Sequence, residues 1–334
     1  MKRRLISVLL AVILVTGTAL PAGAWDHDTD RALAATAGYL LTAVPDPQVG
    51  SVGGEWLVLG LARSGTELPE GWLDRYQETV ASYVSGRDGV LHTKKYTEYA
   101  RVVLALTAIG ADPRNVAGYD LTAPLLEYDK VIWQGLNGPV WALLALDAGN
   151  YPAGEIRQAY VDLLVDRQLS GGGWSLTEGG GADMDITAMV LQALAKYREQ
   201  PAVQMAVDRG LDFLSAQQGA DGGFGSCECT AQVVVALCEL GLELSDGRFV
   251  KNGCTALDGL MAYALSDGSF RHTLAEPGSN QMATEQAFYA LAAVRRAENG
   301  QSSLYRMTAP DTMTVSVKEL MELVRAAMAR AMTR

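Results

Sequence analysis

Six short runs of alanine and large aliphatic residues recur along this chain, and they restrict its fold more than any other feature. They read VLGLA from Val58, VLALT from Val103, LLALD from Leu143, LQALA from Leu191, VVALC from Val234 and FYALA from Phe288, at steps of 45, 40, 48, 43 and 54 residues. Each run is apolar on nearly every side, which suits a helix with no face in water. Between them lie amphipathic stretches such as 70–84 and 156–165, whose apolar residues fall at helical spacing with charges opposite. One buried helix paired with one half-exposed helix, repeated six times, is an all-α array. An open solenoid would show a polar concave stripe on its inner helices. These runs show none, and six is a number that closes. The expected fold is all-α: an α6/α6 barrel, or toroid, of six inner and six outer helices, followed by a C-terminal helix. No strand pattern interrupts it.

The chain opens with Lys2, Arg3 and Arg4, an apolar run from Leu5 to Val15, and Ala22-Gly23-Ala24 before Trp25. A basic start, a short apolar core and a small-residue site form a secretory signal peptide. The expected organisation is a signal peptide at 1–24, a toroid at 25–299, and a linker with an amphipathic helix at 300–334. That last helix begins near Met313, carries Val317, Leu320, Leu323 and Val324 on its apolar side, and is expected to lie across the outside of the barrel. No later stretch reaches the ~20 apolar residues of a spanning helix, so a secreted protein with no transmembrane segment is expected. With 49% hydrophobic and 19% charged residues the chain can bury a substantial core. A net charge of −11 without a basic cluster argues against nucleic acid and against electrostatic docking on an anionic membrane.

Glycine-rich turns punctuate the repeat, among them 167–174 and 217–224. Gln168…Gly173-Trp174 and Gln218…Gly223-Phe224 resemble the Gln-Trp repeat of squalene–hopene and terpene cyclases. Asp183-Met-Asp185-Ile-Thr187-Ala188 resembles their Asp-x-Asp-Asp-Thr-Ala motif. The resemblance covers nearly the whole mature chain and suggests the terpenoid cyclase and protein prenyltransferase toroid superfamily. The helix starts DMDITAMVLQALA, CTAQVVVALCELG and MATEQAFYALAAV look closest to secreted bacterial prenyltransferase and squalene-oxidase repeat proteins. That superfamily also holds the complement thioester domain and the cobalamin carriers. One fold hosts many chemistries, so the resemblance implies architecture more firmly than activity.

Placed on the repeat, Asp185, Glu228 and Met282 share one offset, and Thr187, Thr230 and Thr284 follow two residues later. Gln232 and Gln286 match each other, with Trp56, Arg101, Trp141 and Met189 as counterparts. The inner-helix N-termini should therefore gather polar and aromatic side chains at one mouth of the barrel, where helix ends supply donors. The expected ligand-contact set is Trp56, Tyr99, Arg101, Trp141, Thr187, Glu228, Thr230, Gln232, Thr284, Glu285 and Gln286. For Asp185 two readings stand. The resemblance implies a proton donor to an alkene, supported by Asp183, although Ile186 stands where the motif has its third acid. Local chemistry instead makes Asp185 the N-cap of the fourth inner helix, with Asp183 beside it, and this is the preferred reading.

Cys227-Glu228-Cys229, with Asp183, Asp185 or His272 as a further ligand, is the one zinc candidate, but its spacing fits no structural zinc pattern, and no cofactor is expected. Cys238 and Cys254 are expected to form a disulfide at the opposite rim. The chain shows no Ser-His-Asp order, phosphate loop, nucleotide fingerprint or Cys-Gly-Glu-Gln thioester run. The function expected first is a secreted domain that binds a small organic or isoprenoid-like ligand, or a cell-surface protein. An extracytoplasmic cyclase- or prenyltransferase-type enzyme using Asp185, and a structural cell-envelope module, are the alternatives.

Overall fold

The computed structural model describes residues 28–307. The proposed signal peptide and the amphipathic stretch from Met313 lie outside the described residues. Twelve α-helices alternate in position along the described chain. The inner six are α2 (Trp56–Ser64), α4 (Thr97–Ala108), α6 (Asn137–Ala148), α8 (Met184–Leu194), α10 (Cys227–Glu239) and α12 (Gln281–Glu298). Each packs on the next in this order and α12 packs back on α2, so the ring is closed. All six apolar runs read from the sequence fall on these helices. The outer six are α1 (Thr29–Ala43), α3 (Trp72–Ser85), α5 (Tyr128–Val131), α7 (Ile156–Asp166), α9 (Pro201–Gln217) and α11 (Ala256–Met261). The described residues form no named strand, only isolated two-residue bridges. None of their helices is long and apolar enough to cross a membrane.

The outer ring is uneven. Helix α9 runs 17 residues, whereas α5 has four and α11 six. The short helices leave irregular chain to climb the side of the barrel, and this overturns the expected disulfide. All four cysteines are free thiols. Because α11 is so short, its N-cap Thr255 already lies against Gly222, in the turn that precedes α10: a side chain at Gly222 would collide with the Thr255 carbonyl. Cys254 is thus held up beside the start of α10, while Cys238 sits near that helix's far end.

The packed body also continues beyond residue 299, the expected end of the toroid. Arg63 on α2 donates to the carbonyls of Ser303, Leu304 and Arg306, and the buried carboxylate of Glu239 accepts from Ser303 Oγ at 2.6 Å and Tyr305 N–H at 3.1 Å. Leu304, Tyr305 and Met307 are buried. They close the C-terminal end of the inner ring.

Candidate functional site

Three of the inner helices begin in the same way. Asp183, Ser226 and Asn280 are extended residues that immediately precede α8, α10 and α12, and their side chains accept from the N–H groups of Ile186, Cys229 and Ala283. A short polar side chain in that position satisfies one of the donors that a helix start leaves open. Four residues further on stand Thr187, Thr230 and Thr284. Each hydroxyl accepts from the backbone N–H of a turn aromatic, Trp174, Phe224 or Phe270, at 2.9–3.0 Å. Each also donates to the carbonyl of its own N-cap residue. All three are fully buried. These threonines lock glycine turns onto helix starts, and the structure places no free hydroxyl there for a ligand. Gln168 and Gln218 complete the device by donating to carbonyls of the turn and of neighbouring chain.

The repeated device corrects the reading of Asp185. The N-cap of α8 is Asp183, whose Oδ1 accepts from Ile186 N–H at 3.0 Å, and the Thr187 N–H goes to the Asp183 carbonyl. Asp185 sits in the first turn, half-buried, with Oδ1 buried and without a hydrogen-bond partner. Burial, with the charges of Asp183 and Glu228 added, pushes its carboxyl up to about 6. Desolvation disfavours the charged form, and a neighbouring carboxylate acts in the same direction.

Around Asp185 the mouth is acidic. Glu228 meets His272 Nδ1 at 2.6 Å, and this contact raises the imidazole above its ordinary range. Cys229 is buried among Asp185, Asp183 and Glu228, and burial first, then those charges, push its thiol up. Cys227 points elsewhere, donating its thiol to the Ala283 carbonyl. Among the described residues, no three His, Cys, Asp or Glu side chains stand as a metal-holding group. Arg101 lies 5.9 Å from the Trp56 ring centre and is paired to Glu55 at 3.3 Å and to Glu98. Glu55 is fully buried, and burial pushes it up to about 7 against the pull of Arg101 and the Gly50 N–H. Glu285 is also raised to about 7 by burial. It accepts from Gly53 N–H at 2.8 Å and from Gln281. Glu55 and Glu285 thereby hold the glycine-rich loop 50–54, where Gly53 takes a φ of +71°.

Beneath the mouth the interior is divided. Trp56 and Trp141 meet across the barrel with ring centroids 4.7 Å apart, Tyr289 lies 6.0 Å from Trp56, and Tyr305 stands edge-on to Trp141. Facing them is a ladder of side-chain amides: Gln192 donates to Gln232, and Gln232 donates to Gln286 and to the Tyr289 hydroxyl at 2.6 Å. Of the expected contact set, Trp56, Arg101, Trp141, Glu228, Gln232 and Gln286 come together here. Tyr99 does not, since its hydroxyl accepts from Leu91 N–H in the loop before α4, and Glu285 serves loop 50–54. Sequence reasoning missed Tyr289, which is hidden inside an apolar run, and Glu55. The cap was legible: Asp, Ser and Asn recur four residues before the three threonines.

Two sizeable cavities lie away from this mouth. One of about 810 Å³ occupies the opposite end, lined among others by Gln192, Glu239, Tyr305 and Met307. Another of about 730 Å³ lies where short α11 leaves a groove between α10 and α12. Aromatic rings therefore fill the barrel beneath the N-terminal mouth.

No protein-family model and no curated protein sequence matches the chain. Solved structures do match in fold. The type II terpene cyclase MstE from Scytonema, in a variant bound to merosterolic acid A, superposes with a TM-score of 0.55 at 16% identity, over 81% of this chain and 97% of that one. Another MstE variant, holding geranylgeranyl dihydroxybenzoate as substrate, gives 0.54 at 14% identity over 79% and 96%. A variant of UGL with dGlcA-Glc-Rha-Glc gives 0.54 at 12% identity over 83% and 98%. The chain is an α/α toroid of terpenoid-cyclase-like fold.

Proposed function

We propose that this toroid is a secreted domain that binds a small, uncharged and largely apolar organic molecule of isoprenoid-like character. Its site is the N-terminal mouth of the inner helices, and Asp185 presents a carboxyl to the ligand. The carrying observation is that Asp185 is freed from capping by Asp183 and lacks a partner on Oδ1, and burial pushes its carboxyl up to about 6. Natural proteins rarely leave a buried polar atom unpaired without a use for it. The surrounding charge selects the ligand. Asp183, Asp185 and Glu228 stand together at that mouth, and the nearby Arg101 and His272 are paired to carboxylates. A diphosphate or carboxylate would meet net repulsion there. Trp56 and Trp141, each still slightly exposed, offer aromatic surface for an apolar body. An MstE variant of the same fold holds geranylgeranyl dihydroxybenzoate, which is in keeping with an isoprenoid chain.

Catalysis is the second reading, favoured by the same carboxyl. An acid with a value near 6 keeps a proton to transfer at mildly acidic pH. Alkene protonation suits it poorly, because that step needs donors that stabilise the carboxylate left behind. Asp185 Oδ1 has none, and Ile186 replaces the motif's third acid. Native mass spectrometry with geranylgeraniol and with geranylgeranyl diphosphate tests the proposal. The expected result is a one-to-one complex with the alcohol, lost in Trp56→Ala, and none with the diphosphate. Preference for the diphosphate would overturn it. Conversion of the alcohol that disappears in Asp185→Asn would establish the enzyme reading instead.

A further inference from the structure

The cavity of about 810 Å³ at the C-terminal end of the inner ring brings together two polar groups with nothing to bond to. Gln192 and Tyr305 line it, 2% and 3% exposed. Gln192 Oε1 and the Tyr305 hydroxyl are both buried without a hydrogen-bond partner. The orientation of the Gln192 amide is fixed, because its Nε2 donates to the Gln232 carbonyl at 2.9 Å and to Gln232 Oε1 at 2.8 Å. Its own Oε1 is left as a free acceptor. Tyr305 is held from two other sides, by its N–H on Glu239 at 3.1 Å and by its ring, edge-on to Trp141. Its O–H is left as a free donor. Buried polar groups in native proteins rarely go without a partner, and here two of them share one cavity.

The charges around that cavity are already matched. Asp147 pairs with Lys196 at 2.9 Å and with Arg157 at 2.7 Å, and it accepts from the Tyr197 hydroxyl. Glu239 accepts from Ser303 Oγ and the Tyr305 N–H, and the charges of Arg306 and Arg63 act on it. An anion entering the cavity would meet Glu199 and Glu239, and a cation would meet Lys196 and Arg306. Neither sign of charge is rewarded for its desolvation. Leu144, Ala148, Ala193, Ala195 and Met307 supply apolar wall. The volume lies within the roughly 300–1,000 Å³ of small-molecule sites.

We propose that this cavity is a second binding site, for an uncharged carboxamide with an apolar body, whose N–H donates to Gln192 Oε1 and whose carbonyl accepts from the Tyr305 hydroxyl. A carboxamide carries its donor and its acceptor on separate atoms, whereas an alcohol must serve both from one oxygen. Gln192 and Tyr305 are not bonded to each other, so the separated pair is the better match. Both free atoms lie behind the lining, out of reach of bulk water. The head of the ligand reaches them when the Met307 side chain yields, since an unbranched thioether adapts readily. This site lies at the opposite end of the barrel from Asp185 and does not rest on the reading of the mouth.

Saturation-transfer NMR of the full chain, titrated with hexanamide, hexanoate and hexylamine, tests the proposal. Hexanamide should bind, and the two charged analogues of similar size should bind about tenfold more weakly or not at all. Tyr305→Phe should weaken hexanamide by about tenfold, the loss of one hydrogen bond. The melting temperature of free Tyr305→Phe should match or exceed that of wild type, because the hydroxyl removed has no partner there. Asp185→Asn should bind hexanamide like wild type, which separates this site from the mouth. Absence of hexanamide binding, equal or tighter binding of either charged analogue, or full binding by Tyr305→Phe overturns the proposal. So does a clear loss of stability in free Tyr305→Phe, because the hydroxyl is then satisfied without a ligand. Loss of hexanamide binding in Asp185→Asn overturns it as well, by moving the probe to the mouth.

Discussion

The two halves of the inner ring reach the same mouth by different means. Helices α8, α10 and α12 start from Asp183, Ser226 and Asn280, each with a side-chain cap and a buried threonine holding a turn aromatic. Helices α2, α4 and α6 start from Glu55, Tyr96 and Leu136, and none of these side chains caps its helix. Their entrances are held case by case: loop 50–54 by Glu55 and Glu285, the start of α4 by Gln134. The regular half has its donors satisfied by a repeated local device, so an extra acid in it, Asp185, is left without a structural partner. In the irregular half the carboxylates are structural, and Glu55 and Arg101 are taken up by each other. The difference teaches which acidic residue of the mouth is available to a ligand.

The strongest way to break this comparison is at a turn aromatic. Trp174 is fully buried and donates its indole N–H to the Leu164 carbonyl at 2.6 Å. Trp174→Ala should cost about 3–5 kcal/mol, whereas Trp133→Ala, in an entrance loop of the irregular half, should change stability by less than about 0.5 kcal/mol. Urea unfolding of both variants measures it, and similar values would remove the distinction between the halves. Next in size is the threonine latch. Thr230→Val leaves the Phe224 N–H buried without an acceptor and should cost about 1–3 kcal/mol. Thr97→Val, at the start of α4 where the hydroxyl holds no turn, should cost clearly less.

Much of this architecture was legible. Six apolar runs gave six inner helices and a closed ring, because they recur at similar steps and alternate with stretches whose apolar residues keep helical spacing. The uneven outer ring was not legible, because residues 242–255 and 109–127 show no period that says whether they coil or climb. That is why Cys254 was placed at the wrong end. The site was half legible. Trp56, Trp141, Gln232 and Gln286 followed from their shared offset, but cap and free acid were exchanged because Asp183 and Asp185 are chemically alike. Only the extended backbone of Asp183 and the parallel with Ser226 and Asn280 separate them.

That separation predicts a smaller effect. Asp183→Ala should cost on the order of 1 kcal/mol as a lost cap, while Asp185→Ala should cost less and Asp185→Asn should be neutral or stabilising at neutral pH. Equal losses at both positions would return Asp185 to a capping role. The pH dependence offers a separate check. Asp185 is raised to about 6, and Glu55 and Glu285 to about 7. Between the unfolded values near 4 and these raised values, the folded state binds more protons than the unfolded one. Stability should therefore fall as pH rises through that window and be insensitive to these groups below about 4. Melting temperatures from pH 5 to pH 8 should show this decline. Glu285→Gln, which keeps an acceptor for Gly53 N–H, should flatten it.

The central claim is that Asp185 is an unpartnered acid, and its carboxyl can be watched directly. Carbon-13 NMR of aspartate-labelled protein, with Asp185→Asn identifying the resonance, gives its titration midpoint. A midpoint near 6 is expected. A midpoint at or below the ordinary aspartate value of about 4 would contradict it, because a carboxylate that ionises so readily has found a donor.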